Sequence, residues 1–208
     1  MAATAPIPSP DASGGRARSV LTGRFLRLTV ANFCFFMTYA SFFLLPLRIR
    51  QLGGDDRMVG LVMGSGGIAG LVAVLAVAPL IDRAGARVFL RAGMAGMAAV
   101  SLGFAFLDRL GFGMIALRGL QGVAFAAGFN ASSMLAATLA PRDQRATALG
   151  FFGISTLITH ALAPSLGEQI VRLAGFPQLF AVASGFSFVG VAIAWTLPDA
   201  RTHDHAGA

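Results

Sequence analysis

The chain has 208 residues, of which 56% are apolar and only 12% charged, and it carries a formal net charge of +7. A soluble domain carries about 25% charged residues, so composition excludes that class and points to a chain solvated by lipid. All sixteen basic residues are arginine, and nearly all lie in the tails and short links, so topology rather than a nucleic-acid surface explains the charge.

Residues 1–24 are rich in Ala, Pro, Ser, Gly and Arg and read as a disordered cytoplasmic tail. They are not a signal peptide, because the apolar run Leu28–Leu47 that follows is too long for an h-region. A first membrane helix is predicted over about 26–47, closed by Pro46 and Gly53-Gly54. Asn32 and Tyr39 are seven residues apart on it and share a face, while Cys34 has no internal disulfide partner.

Met58–Ile81 has no charge, and a second helix is predicted over 58–81. Its Gly60-x-x-x-Gly64 and Gly66-x-x-x-Gly70 patterns suit close helix packing. Gly64-Ser65-Gly66-Gly67 superficially resembles an intramembrane protease, but no histidine lies near it in sequence. The link Asp82-Arg83-Ala84-Gly85-Ala86-Arg87 is a charged turn into a third helix over 89–107.

The fourth helix, 111–140, contains Arg118 inside an otherwise uncharged run ending before Pro141. An ion near mid-bilayer costs roughly 2.5–3.5 kcal/mol on insertion scales, so it faces a cavity or a partner. Gln121, Phe125 and Ser132 follow on the same helical face. Arg118 is therefore expected either to attract an anionic substrate group or to modulate a proton-carrying carboxylate; the bland alternative is an arginine snorkelling outward.

A fifth helix is predicted over 146–171 and a sixth over 177–197, with Pro177 suited to the first turn. Glu168 is the only glutamate, a candidate proton carrier or else an interfacial residue with access to water; His160 is a coupling or packing residue. Residues 199–208 form a second tail or the start of a linker, and His203-Asp204-His205 there reads as a solvated end. With the N-terminus inside, ten arginines fall on cytoplasmic segments and five outside, favouring cytoplasmic termini.

Three of these stretches carry a resemblance. Ala78-Pro79-Leu80-Ile81-Asp82-Arg83-Ala84-Gly85-Ala86-Arg87 resembles the G-x-x-x-D-R-x-G-R-[RK] signature of the major facilitator superfamily, with Ala78 and Ala86 departing from it. Arg118-Gly119-Leu120-Gln121-Gly122 resembles its R-x-x-Q-G pattern. Gly150, then Ala163-Pro164-Ser165-Leu166-Gly167-Glu168, resembles the proline-glycine signature of its proton-coupled drug and sugar exporters.

The resemblance implies an all-α polytopic fold over residues 25–198, six membrane helices as two three-helix units related by inverted repetition. It implies secondary transport, namely efflux of a small molecule in exchange for protons across a bacterial inner membrane, without enzymatic activity, cofactor or metal. Asp82, Arg83, Gly85 and Arg87 would form a conformational latch. Arg118 and Glu168 would carry the functional charges, and Asn32, Tyr39, Gln121 and Asn130 would line the cavity. Gly122, Gly150, Pro164 and Gly167 would pack helices.

The family's fold has about twelve spans, so these six correspond to its N-terminal half. The expected partners are the lipid bilayer and a second six-helix half, from a missing segment, a separate chain or a homodimer. The alternative is a non-transporting scaffold or regulator.

Overall fold

Thr22 starts the first helix: its Oγ1 accepts the backbone N–H of Phe25 at 3.2 Å, satisfying one of the donors left open at a helix start. Helix α1 therefore runs over Gly23–Ser41 and takes in two residues that composition assigned to the tail. A computed structural model describes residues 22–197. The histidines near the C-terminus lie outside the described residues.

Pro46 does not end the first span as expected. A short 3₁₀ turn, Phe42–Leu44, precedes α2 (Leu45–Gln51), and the proline falls in the first turn of α2, where its missing N–H costs nothing. The chain therefore stays helical across Gly23–Gln51. Helix α3 follows over Asp56–Ala84, α4 over Ala86–Phe106, α5 over Phe112–Leu139, α6 over Arg145–Ala174 and α7 over Phe176–Trp195. The first span and each of α3 to α7 are long and apolar enough to cross a membrane, giving six.

The charged link after α3 is tighter than a loop. Gly85 alone separates α3 from α4, with φ of 92° and ψ of 140°, a conformation close to glycine-only. Gly175 alone separates α6 from α7 in a similar state, φ 94° and ψ 176°. The two links occupy equivalent places in an inverted repeat. Helices α5, α6 and α7 begin 89, 89 and 90 residues after α1, α3 and α4, respectively. The threefold-then-threefold order is thus a property of the backbone.

The two units interlock rather than sit side by side. The extensive contacts are α3 with α5, α4 with α5, α4 with α7, α1 with α7 and α1 with α6. Exchanging the units maps α3–α5 onto α6–α1 and α4–α5 onto α7–α1. Small polar side chains stitch these crossings: Thr38 Oγ1 donates to the Ala183 carbonyl at 2.7 Å, Ser184 Oγ to that of Ala98 at 2.9 Å, and Ser65 Oγ to that of Ile115 at 3.1 Å. Ser65 is thus spent on packing.

Two large apolar clusters and a small third one around Met37 and Ala163 fill the interior. One of the large clusters gathers Phe25, Phe35, Phe36, Met94, Met97 and Phe152, the other Phe42, Val62, Phe104, Met114 and Phe180. Large apolar side chains on the outer faces of α3 and α6, such as Ile68, Leu71, Leu75 and Leu157, remain exposed. That is the arrangement of a bundle solvated by lipid or by another bundle. Thr22 and Gly23, Leu139 and Thr196 line one cavity, so α1 begins at the same end of the bundle as α5 and α7 finish.

Candidate functional site

The site forms where α3 crosses α5. Gly66 and Gly70 on α3 lie against Gly122 on α5: a Cβ on Gly122 would overlap the Gly66 carbonyl oxygen and come within 2.8 Å of the Gly70 nitrogen. A side chain at Gly122 or Gly66 would force the helices apart, so the second of the two glycine pairs in α3 lies at the crossing, with Gly66 its tight contact. Gly60 and Gly64 have nothing within 4 Å of a Cβ and take no part in it.

Arg118 lies one and a half turns into α5 and is only 7% exposed. A Cβ on Gly66 would lie 2.9 Å from its Nε, so the glycine makes room for the guanidinium. Arg118 Nη1 donates to Gln121 Oε1, and the guanidinium carbon stands 5.7 Å from the centre of the Phe42 ring. The 3₁₀ turn before Pro46 puts Phe42 there, a neighbour that sequence reading missed. The proline that demands such a turn was its only signal.

Arg118 Nε and Gln121 Nε2 are both buried and have no hydrogen-bond partner. No described acid pairs with Arg118: Asp55, Asp56, Asp82, Asp108, Asp143 and Glu168 are all exposed. Beside the guanidinium is a cavity of about 370 Å³, lined by Tyr39 and Phe125 and also by Met63, Leu71 and Val74. Tyr39 and Phe125 stack with centroids 4.2 Å apart.

An aromatic strip continues from that wall. Phe125 stacks on Phe129, Phe36 meets both rings edge-on, and His160 tilts against Phe36 and Phe43. His160 Nδ1 lies 2.9 Å from the Thr156 carbonyl oxygen, to which it donates. The strip is visible afterwards in the sequence as Phe36 and Phe43 spaced about Tyr39, with Phe125 and Phe129 one turn apart.

The other cavity candidates fall elsewhere. Asn32 is fully enclosed: its Nδ2 donates to Thr156 Oγ1 at 3.1 Å, and its Oδ1 accepts from Ser132 Oγ at 3.2 Å. It joins α1, α5 and α6, as an interhelical hydrogen bond would. Asn130 Nδ2 donates to the Ala126 carbonyl of its own helix at 2.8 Å. The structure therefore brings together Tyr39, Gln121 and Arg118, with Asn32 and Asn130 apart from them.

Asp82 and Arg83 lie exposed in the last turn of α3, and Arg87 is half-buried in the first turn of α4. Glu168 is exposed near the end of α6, 3.7 Å from Arg172 one turn on. Gly167 packs on α2's approach, since a Cβ there would meet Leu44 at 2.7 Å; Pro164 is accommodated inside α6; Gly150 has no neighbour within 4 Å of a Cβ.

The family model described as Major Facilitator Superfamily matches residues 28–207. No curated protein sequence matches the chain significantly. The match covers every span and both glycine links.

Proposed function

The chain belongs to the major facilitator superfamily, and from that membership we propose that it is the N-terminal six-helix half of a secondary transporter that expels a small molecule in exchange for protons. The observation that carries this reading is Arg118: a buried cation, without a described counter-ion, beside a cavity at a helix crossing. Such a residue is costly in a membrane and is kept where substrate or ion passes.

Alternating access then means rocking this bundle against a second one. The exposed apolar faces of α3 and α6 supply surface for that contact and for lipid. Asp82, Arg83, Gly85 and Arg87 lie together at one end, where the latch acts on the second bundle. A carboxylate there is stabilised by any helix N-terminus it meets. Both ends of this half face the cytoplasm of a bacterial inner membrane, in line with the arginine distribution.

Glu168 is the proton carrier this half offers: Asp56 and Asp82 lie at the very ends of the α3 span, whereas Glu168 lies six residues inside the end of α6. Its ion pair with Arg172 is exposed and contributes little to stability. Glu168→Gln therefore leaves the fold intact and removes the proton-driven component of efflux.

The test is charge movement recorded from proteoliposomes on a solid-supported membrane, with a panel of small molecules added under an imposed pH gradient. Substrate-induced currents that collapse with the gradient support proton-coupled transport. Currents that ignore the gradient retain transport and remove the proton. Silence across the panel, with cross-linking that finds no second bundle, leaves the scaffold alternative.

A further inference from the structure

We propose that the cavity between α3 and α5 binds an organic anion with a flat apolar body, its charged group held by the guanidinium of Arg118, which lines the cavity and is itself positioned by Gln121. This rests on the transport reading for its purpose, and it names the substrate class.

Gln121 Oε1 already accepts from Arg118, which fixes the amide so that Nε2 is a second donor. The guanidinium has a further donor in Nε. Both atoms are buried without an acceptor, and buried polar groups are otherwise almost always paired. Of the two residues only Arg118 borders the cavity, and a ligand that completes it from there must accept hydrogen bonds.

It must also be negative. Among the described side chains Arg118 is the one charged group that is buried, and every described acid is exposed. A buried charge is retained when a counter-charge completes it. A carboxylate or phosphate-like group supplies charge and adjacent acceptor oxygens together.

The walls define the rest of the ligand. The stacked Tyr39 and Phe125 rings present an aromatic flank, and Met63, Leu71 and Val74 also line the cavity without a charge, Leu71 and Val74 at its open edge. A volume of about 370 Å³ lies at the small end of ligand pockets and suits one or two fused rings. Gly66 packs directly against the arginine, so a Cβ there, 2.9 Å from Nε, would displace the guanidinium from its place beside the cavity.

The experiment is calorimetric titration of the full chain in lipid nanodiscs with 2-naphthoate and with its neutral analogue 2-naphthamide. The expected result is that naphthoate binds about tenfold or more tightly than the amide. Arg118→Gln should remove that preference while leaving the amide unchanged, and Tyr39→Leu should weaken both ligands alike. Gly66→Ala serves where Arg118→Gln fails to fold, judged by helical circular dichroism: it keeps the charge and should selectively weaken naphthoate.

Equal affinity for the two probes, a preference that survives Arg118→Gln, or no binding of either would overturn the anion site. Charge movement in proteoliposomes separates the two readings. Naphthoate binding without translocation, with cross-linking that finds no second bundle, keeps this site and removes the transporter. Translocation of other compounds without naphthoate binding keeps the transporter and removes this site.

Discussion

The carbonyl oxygen of Gly66 and the Cα of Gly122 approach so closely that a single methyl on Gly122 would overlap the oxygen. This backbone contact, rather than any interdigitation of large side chains, sets how near α3 comes to α5 and thereby the width of the cavity beside Arg118.

Gly122→Leu is accordingly expected to cost about 1–3 kcal/mol or more of stability, the range for overpacking a tight interior. Gly64→Leu, two residues before Gly66 but with nothing within 4 Å of its Cβ, should stay within about 0.5 kcal/mol. Apparent melting temperatures of the two variants in the same detergent check the contrast. Equal losses would mean that the crossing is set elsewhere.

Asn32 leads to a second expectation. It lies on α1, seven residues before Tyr39, and the shared face suggested a shared cavity. Its amide instead bridges Thr156 and Ser132 with no exposure. Asn32→Leu should therefore lower stability by about 0.6–2 kcal/mol for each interhelical bond lost, with no change in the preference for one ligand over another. A thermal melt and a ligand competition series measured on the same preparation decide it; altered preference would return Asn32 to the cavity.

Much of the fold was legible because the bilayer imposes a crude length rule that apolar runs obey. Six runs became six spans, and Pro141 and Pro177 marked ends where the structure has them. Pro46 misled because proline is equally at home in the first turn of a new helix, and a 3₁₀ turn lets the span carry on through it. At the site, spacing put Arg118 and Gln121 on one face of α5, and the structure has their side chains in contact. The partners of Asn32 were not legible, because helical periodicity tells which residues share a face but not which neighbour covers it.

The two single-glycine links make a paired prediction. A side chain at Gly85 or Gly175 must adopt positive φ with extended ψ, a state costing about 1–3 kcal/mol for any residue with a Cβ. At Gly175 a Cβ has ordinary clearance, 3.5 Å to Gln178 Oε1, so the cost there is backbone strain alone. Gly85→Ala and Gly175→Ala should lower the melting temperature by similar amounts, as equivalent links of an inverted repeat should. A large loss at one and none at the other would show that the links are not mechanically equivalent.

Arg91 and Trp195 supply a readout that needs no label. The guanidinium of Arg91, in α4, stands 4.2 Å from the Trp195 ring centre, and its Nε donates to the Ala194 carbonyl at 3.3 Å. The arginine thus caps the end of α7 by a cation–π contact and by a bond to one of the carbonyls that a helix C-terminus leaves open. Trp195 is the only tryptophan in the chain, so its emission reports this contact alone. Arg91→Gln should lower stability by about 0.5–2 kcal/mol and raise the rate of iodide or acrylamide quenching of Trp195. Because α4 belongs to one three-helix unit and α7 to the other, the same emission should shift whenever the units move relative to each other. Unchanged quenching in Arg91→Gln would place the indole out of the arginine's reach and remove the contact as a clamp between the units.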